Sequence, residues 1–166
     1  MKTIITRATR EDLPALVEIG KQCFGFMGSS RRQLLYQITR AKGAVFVARA
    51  DGKAVGCLVC LTHAARKSSR IFSLAVHPEM QGRGLGRRLL KEAFAYSRSA
   101  GMRAITLEVK TENTVAYWLY RTSGFSIVET LPQYYFLGYD AYRMRVELYP
   151  SRRSGLIPHL PNGDRL

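Results

Sequence analysis

The sequence predicts a mixed α/β fold in one domain, with about seven strands, an antiparallel hairpin among them, interleaved with about four helices. Apolar residues recur with strand period in some stretches and with helix period in others, and the two kinds interleave along the chain. Asp51-Gly52 separates the strand-like runs Ala44–Ala50 and Lys53–Thr62, the signature of a tight antiparallel hairpin. At 166 residues and 46% hydrophobic content, the chain suits a single core.

Each element follows in order. Thr3–Ala8 alternates as a first strand, and Thr9-Arg-Glu-Asp12 opens a helix with acids in its first turn. Leu13, Leu16, Val17, Gly20, Cys23 and Phe24 recur at helical spacing until 25–30 breaks the pattern. Ser29 or Ser30 caps a second helix carrying Leu34, Leu35 and Ile38. The hairpin comes next, then a basic turn over 66–70 and a buried-strand pattern over 71–76 that stops at Pro78. A helix follows with Leu85, Leu89, Leu90, Ala93 and Phe94 on one face, ended by Gly101. Met102–Val109 reads as strand, and Asn113–Thr122 as a helix stopped by Gly124. Phe125–Glu129 and Tyr142–Leu148 make the last strands. There is no internal repeat. The domain is expected over 1–149, and 150–166, with Gly155, Pro158, Pro161 and Gly163, is expected to be a poorly ordered tail.

Several classes are disfavoured. Residues 1–10 contain only the short apolar pair Ile4-Ile5, too little for a signal peptide, and the longest apolar run, 54–61, is far short of a membrane span. Three cysteines form no even framework and fit a reducing cytoplasm. Cys57 and Cys60 make a C-x-x-C, but on a strand their side chains point to opposite faces, so they read as core residues. His63, His77 and His159 are scattered with no ligand at metal spacing, so no metal is expected. G-x-S-x-G is absent, which leaves a serine hydrolase unsupported.

The densest signal lies over 74–90, L-A-V-H-P-E-M-Q-G-R-G-L-G-R-R-L-L. Gly82, Gly84 and Gly86 alternate with Arg83, Leu85 and Arg87 where a loop opens a helix. Such a turn leaves backbone N–H groups unpaired and aims them, with the positive end of the helix dipole, at one point. Arg83, Arg87 and Arg88 add charge beside it, so the loop suits a phosphate or pyrophosphate. A mononucleotide P-loop would need Gly-Lys-Ser/Thr, which is missing. A dinucleotide fingerprint would need G-x-G-x-x-G directly after the strand, whereas residues 77–81 intervene here. Glu108 lies at a distance that keeps this reading open, and a plain turn with a helix cap is a separate alternative.

Q-G-R-G-L-G-R-R-L-L preceded by L-A-V-H-P resembles the acyl-CoA signature of the GNAT superfamily of N-acetyltransferases. L-E-V-K-T-E-N-T-V-A-Y-W-L-Y-R-T-S-G-F over 107–125, followed by Y-Y-F-L-G-Y-D-A-Y-R-M-R-V-E-L, is similar to its ribosomal-protein alanine N-acetyltransferase branch in particular. The likeness is dense in motifs over 71–148 and only architectural before that. It implies a single-domain GNAT-like fold, a mixed, mostly antiparallel sheet of about seven strands flanked by about four helices, and acetyl-CoA as acyl donor. The main chain of Leu74, Ala75 and Val76 would pair with the pantetheine arm. The loop of Gly82, Arg83, Gly84, Leu85, Gly86 and Arg87 would grip the pyrophosphate. Asn113 would contact the cofactor, although as a helix cap it would look identical in sequence.

Acetyl transfer to an amine requires a base for the nucleophile and an acid for the departing thiolate. A free α-amine titrates at about 8 and a lysine at about 10.4. Glu108 is the candidate base: in Ala104–Val109, Ile105, Leu107 and Val109 face one way, and Thr106 and Glu108 the other. A carboxylate in such a strand is costly unless solvated or employed. The resemblance gives the glutamate of L-E-V the proton-acceptor role; a salt-bridged structural glutamate is the alternative. Tyr120 is the candidate acid, since the family's tyrosine on this helix approaches the coenzyme A sulfur and a phenol is protonated at neutral pH. Packing is its alternative. Ala116, Leu119 and Tyr120 share one side of the helix, with Tyr117 and Trp118 turned partly away.

The net charge of +14 exceeds what a coenzyme A site needs. Basic residues such as Arg31, Arg40, Arg66, Arg70, Arg121, Arg143 and Arg145 fit either contact with RNA or ribosomes, or a solvated surface. For the acceptor, Tyr134, Tyr135 and Asp140-Ala141 lie where the resembling branch shapes its peptide edge. Cys23–Arg32 lacks the proline-tryptophan pair usual nearby in that branch. The expectation is a cytoplasmic N-acetyltransferase of protein N-terminal amines. The alternatives are a small-amine acetyltransferase and an inactive, basic RNA- or ribosome-binding module.

Overall fold

The computed structural model describes residues 1–149; the expected tail, 150–166, lies outside them. The first strand, β1 (Thr3–Arg7), leads into a short 3-10 turn and then α1 (Leu13–Phe24) and α2 (Arg31–Thr39). The chain continues through β2 (Gly43–Ala50), β3 (Lys53–His63) and β4 (Ser68–Val76) to α3 (Leu85–Ser99). It ends with β5 (Ala104–Lys110), α4 (Thr114–Thr122), β6 (Ser126–Tyr135) and β7 (Tyr139–Glu147). The strands form one 7-stranded sheet in the order β1-β2-β3-β4-β5-β7-β6. All neighbours are antiparallel except β4 and β5.

Side-chain alternation along the strands divides the core between the two faces of the sheet. Phe46, Leu58, Ile105, Leu107 and Met144 pack with Leu85, Leu89, Leu90 and Ala93 of α3 on one face. Val45, Val47, Val59 and Ala75 pack with Leu13, Leu16 and Ile19 of α1 and Leu34 of α2 on the other. Leu89 is fully buried, so truncation to alanine would cost about 2–5 kcal/mol. Cys60 belongs to the first cluster and Cys57 to the second, the opposite orientation expected for residues three apart on a strand. Local capping follows the sequence too. Ser30 Oγ accepts from the Gln33 amide at 3.1 Å, and Asn113 Oδ1 from the Ala116 amide at 3.1 Å.

The last two strands are longer than their apolar patterns suggest. β6 continues past Glu129 through Pro132 to Tyr135, and β7 begins already at Tyr139. A proline lacks the amide a central strand must donate, but β6 is an edge strand and its register with β7 shifts between Leu131 and Tyr135.

One irregularity creates the site. Val59 faces Ser73 and Cys60 faces Ile71, so Phe72 is an extra residue in β4. A bulge of this kind bends its strand. The parallel pairing of β4 with β5 runs only from Ser68↔Ala104 to Ile71↔Leu107, although β4 continues to Val76 and β5 to Lys110. Beyond the bulge the sheet is split.

Candidate active site

The split opens into a cleft of about 440 Å³. Its walls include Ile71, Phe72, Ser73 and Leu74 of β4, Glu108, Val109 and Lys110 of β5, and Ala116 and Tyr120 of α4. Phe24 at the end of α1, Met27 of the α1–α2 connection, and Tyr134 and Tyr135 at the end of β6 close it.

Main-chain groups on β4 face this opening. The His77 amide donates to Val55 at 2.8 Å, so the ladder with β3 uses His77 and, by the alternation of antiparallel pairs, Ala75 opposite Cys57. Leu74 and Val76 then direct their amides and carbonyls away from β3. The Val76 carbonyl is already engaged, accepting from Gln81 Nε2 at 3.0 Å and from Cys23 Sγ at 3.2 Å. Of the three residues expected to meet a pantetheine arm, Leu74 and Val76 thus have main chain aimed into the split, whereas Ala75 bonds to β3.

At the end of β4 the glycine-rich loop turns into α3. Gly82 and Gly84 have φ of +75° and +77°, the left-handed region that glycine occupies without steric cost. The amides from Gly82 to Arg87 make no hydrogen bond to a described residue, and the first helical bond is Arg88 N–H to the Gly84 carbonyl. Free amides at a helix N-terminus have the geometry that suits an anion. The three arginines expected to add charge beside the loop do so unequally. Arg87 Nη2 donates to Thr122 Oγ1 at 2.8 Å, and Arg88 donates to the Thr3 hydroxyl and carbonyl. Those guanidiniums tie α3 to α4 and β1, whereas Arg83 bonds to no described residue. Gly86 has a packing role: an added Cβ would lie 3.1 Å from Leu119 Cδ2. Leu85 is buried in the core beneath the loop.

Glu108 and Tyr120 come together in the cleft. Glu108 faces the α1–α2 side of the sheet, with its side chain only 7% exposed. Arg70 Nε donates to Glu108 Oε2 at 2.9 Å and Arg143 Nε to Oε1 at 3.3 Å. Arg143 also donates to Glu129 Oε2 at 2.6 Å, and Arg70 Nη2 to the Tyr134 hydroxyl at 3.3 Å. A row of alternating charges thus crosses β4, β5, β7 and β6. Tyr120 is buried against Phe125, and desolvation, with a lesser effect of Tyr135, pushes its phenol above the ordinary range. Its hydroxyl is therefore protonated at every physiological pH. Asn113 lines the cleft, but its side-chain oxygen is spent on capping α4. His77 Nδ1 accepts from the Glu79 amide and serves the turn after β4. Among the described residues no group of three or more His, Cys, Asp or Glu is placed to hold a metal ion.

Arg70 and Arg143 as partners of Glu108 were not legible as site residues. Sequence shows them as part of the basic surplus, and only the pairing Glu108↔Arg143 across β5 and β7 brings one of them to the carboxylate. Phe26 was likewise missed. It packs edge-on against Phe136 at 5.9 Å, joining the two connections that border the cleft.

The family model described as acetyltransferase (GNAT) family matches residues 13–125. The chain belongs to the GNAT acetyltransferase family. Among its relatives, the N-alpha-acetyltransferase RimI of Mycobacterium tuberculosis is 43% identical over 76 residues, covering 45% of this chain and 46% of that protein. The N-alpha-acetyltransferase MAK3 of Arabidopsis thaliana is 34% identical over 119 residues, covering 70% and 60% respectively. The ribosomal-protein-S18-alanine N-acetyltransferase of Escherichia coli superposes with a TM-score of 0.80 at 25% identity, over 89% of this chain and 94% of that one. The matches to the first curated relatives span only 24%, 46% and 60% of their lengths. This GNAT chain has no helix, among the described residues, long and apolar enough to cross a membrane.

Proposed function

We propose that this GNAT protein transfers acetyl from acetyl-CoA to a primary amine, in particular the N-terminal α-amine of a protein. The observation that carries the reading is the split sheet, which sets an open main-chain edge of β4 beside Glu108 and Tyr120 in one cleft. Acetyl-CoA supplies an activated thioester. The residues fit it: the free amides from Gly82 to Arg87 suit its pyrophosphate, and Leu74 and Val76 suit the amide groups of its arm.

In this mechanism the amine nitrogen forms the new C–N bond and the thioester C–S bond breaks. Before the acceptor arrives, Arg70 and Arg143 fix the orientation of the Glu108 carboxylate, which then takes the proton that the amine must lose, directly or through water. Tyr120 presents a neutral O–H toward the departing sulfur. Burial makes it a weaker acid than a free phenol, so it gives its proton in concert with C–S cleavage and recovers one from solvent. The protein-terminus assignment draws on the named activities of the RimI, MAK3 and S18-alanine enzymes. The aromatic border of Phe26, Phe136, Tyr134 and Tyr135 gives a peptide apolar surface to lie against. A purely RNA- or ribosome-binding role for the basic surface leaves this constellation without a purpose.

The test is incubation with acetyl-CoA and a panel of peptides with free or blocked N-termini, alongside polyamines and lysine, read by mass spectrometry. A mass gain of one acetyl group at free N-termini is expected. Acetylation confined to small amines would replace the protein-terminus reading, and no acetylation of any amine would remove the activity itself.

A further inference from the structure

The cleft carries more positive charge than acetyl transfer requires. Among the described charged residues lining it, Arg70 and Lys110 are cations and Glu108 is the one carboxylate. Glu108 is also shared with Arg143, which approaches from β7. An incoming amine therefore meets a site whose single negative charge is already matched on both oxygens. A basic acceptor would add to the excess, and an acidic one would offset it.

Arg70 is placed to make that distinction. It stands on β4 at the last pairs before the split, opposite Thr106. Its side chain is 41% exposed, in contrast to the buried carboxylate it contacts. Nε is held by Glu108 and Nη2 by the Tyr134 hydroxyl, while Nη1 bonds to no described residue and leaves part of the guanidinium fork open. The ring of Phe72, the bulged residue, has its centre 5.5 Å from the guanidinium carbon and gives the fork an aromatic neighbour. Lys110 lies on the same cleft, its ammonium 4.2 Å from the centre of the Tyr139 ring. A guanidinium fork with aromatic walls suits a planar carboxylate.

We propose that Arg70 is a specificity-determining residue that selects acceptor amines carrying a carboxylate close to the reacting nitrogen. This rests on the acetyltransferase reading. The acceptor carboxylate takes the open side of the Arg70 fork, loosening its hold on Glu108 Oε2. The acceptor's own ammonium occupies the position that Arg70 yields. The two ion pairs are exchanged with no net change in charge, so the step suits a zwitterionic acceptor and opposes one that brings only positive charge. Peptides with Asp or Glu at the first or second residue and free acidic amino acids share this chemistry.

The experiment compares short peptides identical except for Asp, Gln or Lys at the second residue, together with free glutamate, as acceptors for wild type, Arg70→Gln and Arg70→Lys. For wild type, kcat/KM for the Asp peptide should exceed that for the Lys peptide by about 10-fold or more, the scale of one charge-assisted hydrogen bond. Arg70→Gln should bring that ratio close to one. Arg70→Lys, which keeps the charge and loses the fork, should fall between and guards against a glutamine variant that does not fold. Acetylation of glutamate in preference to every peptide would support the selection and identify a small acceptor. Equal use of the Asp and Lys peptides by wild type, or a ratio unchanged in the folded variants, would overturn the assignment. An enzyme that acetylates lysine-bearing peptides freely defeats only this inference; one that acetylates no amine defeats the activity beneath it.

Discussion

Glu108 and Tyr120 reach the same cleft from opposite faces of the sheet. Leu107 and Val109 point into the core shared with α3 and Tyr120, so Glu108 between them points to the α1–α2 side. In a continuous sheet the two side chains would be separated by the strand layer. The bulge at Phe72 removes that barrier, and the space between β4 and β5 becomes one cleft that a carboxylate from one side and a phenol from the other both reach. The same separation allows each to be changed with little effect on the packing of the other.

Tyr120→Phe retains the ring against Phe125 and removes only the hydroxyl. Thermal stability should shift little, acetyl-CoA affinity should be nearly kept, and kcat should drop by roughly 10² or more. Steady-state kinetics with an acceptor peptide check this. Full activity in the variant would leave protonation of the sulfur to solvent and Tyr120 to packing.

Glu108→Gln removes the charge that Arg70 and Arg143 share. The activity loss should be largest at low pH, where the free amine is scarce, and should partly recover as pH rises toward the amine's own pKa of about 8. A pH–rate profile beside wild type is the measurement. A loss of constant size at all pH values would mean that the carboxylate positions the acceptor and its arginines without moving a proton.

Gly84→Asp probes the anion loop without a clash, since a Cβ at this position would meet no atom within 4 Å. The left-handed φ costs the new residue about 1 kcal/mol, small enough for the fold to persist. Acetyl-CoA should raise the melting temperature of wild type and not of this variant. Gly84→Asn, which meets the same backbone cost without the charge, should keep most of the rise. Equal stabilisation of wild type and Gly84→Asp would detach the loop from the pyrophosphate.

Gly86→Val tests contact between helices in place of ligand binding. Its Cβ would press on Leu119 Cδ2 at 3.1 Å, and the branched methyls would force α3 and α4 apart, costing about 1–3 kcal/mol. Urea denaturation should show the loss. A Gly86→Ala variant should be much milder, because the tip of Leu119 can shift by a few tenths of an ångström.

Alkaline stability should reflect Cys57. Burial, helped by Cys23 and Asp12, pushes its thiol up to about 12, whereas an unfolded thiol ionises at about 8.5. The folded state keeps the proton longer, so this contribution is complete below about pH 8.5 and is lost as pH rises from there toward about 12. Tyr120, also raised by burial, acts with the same sign above the phenol's ordinary value of about 10. Urea midpoints should stay level to about pH 8.5 and then decline, with a shallower decline in Cys57→Ala. The same slope in both proteins would assign the alkaline limb to other groups.

Local chemistry made much of this molecule legible in its sequence. Period-2 alternation identified Glu108 as facing away from the core side of β5, and glycine spacing located the turn that frees the amides at the start of α3. The second helix's cap was narrowed to Ser29 or Ser30, and Asn113 stood where a cap and a cofactor contact look alike in sequence. These features depend on dihedral preferences and on neighbours within a turn or a strand, which the order of residues specifies directly. The tertiary structure alone decided the rest. Arg70 and Arg143 reach Glu108 across 38 and 35 residues of chain, Arg87 turns to Thr122 across 35, and Arg88 to Thr3 across 85. Strand register sets the first two partners, the packing of α3 sets the others, and the bulge at Phe72 sets where the sheet opens. Each is a balance among distant segments competing for the same neighbours, so no local pattern in the sequence encodes it.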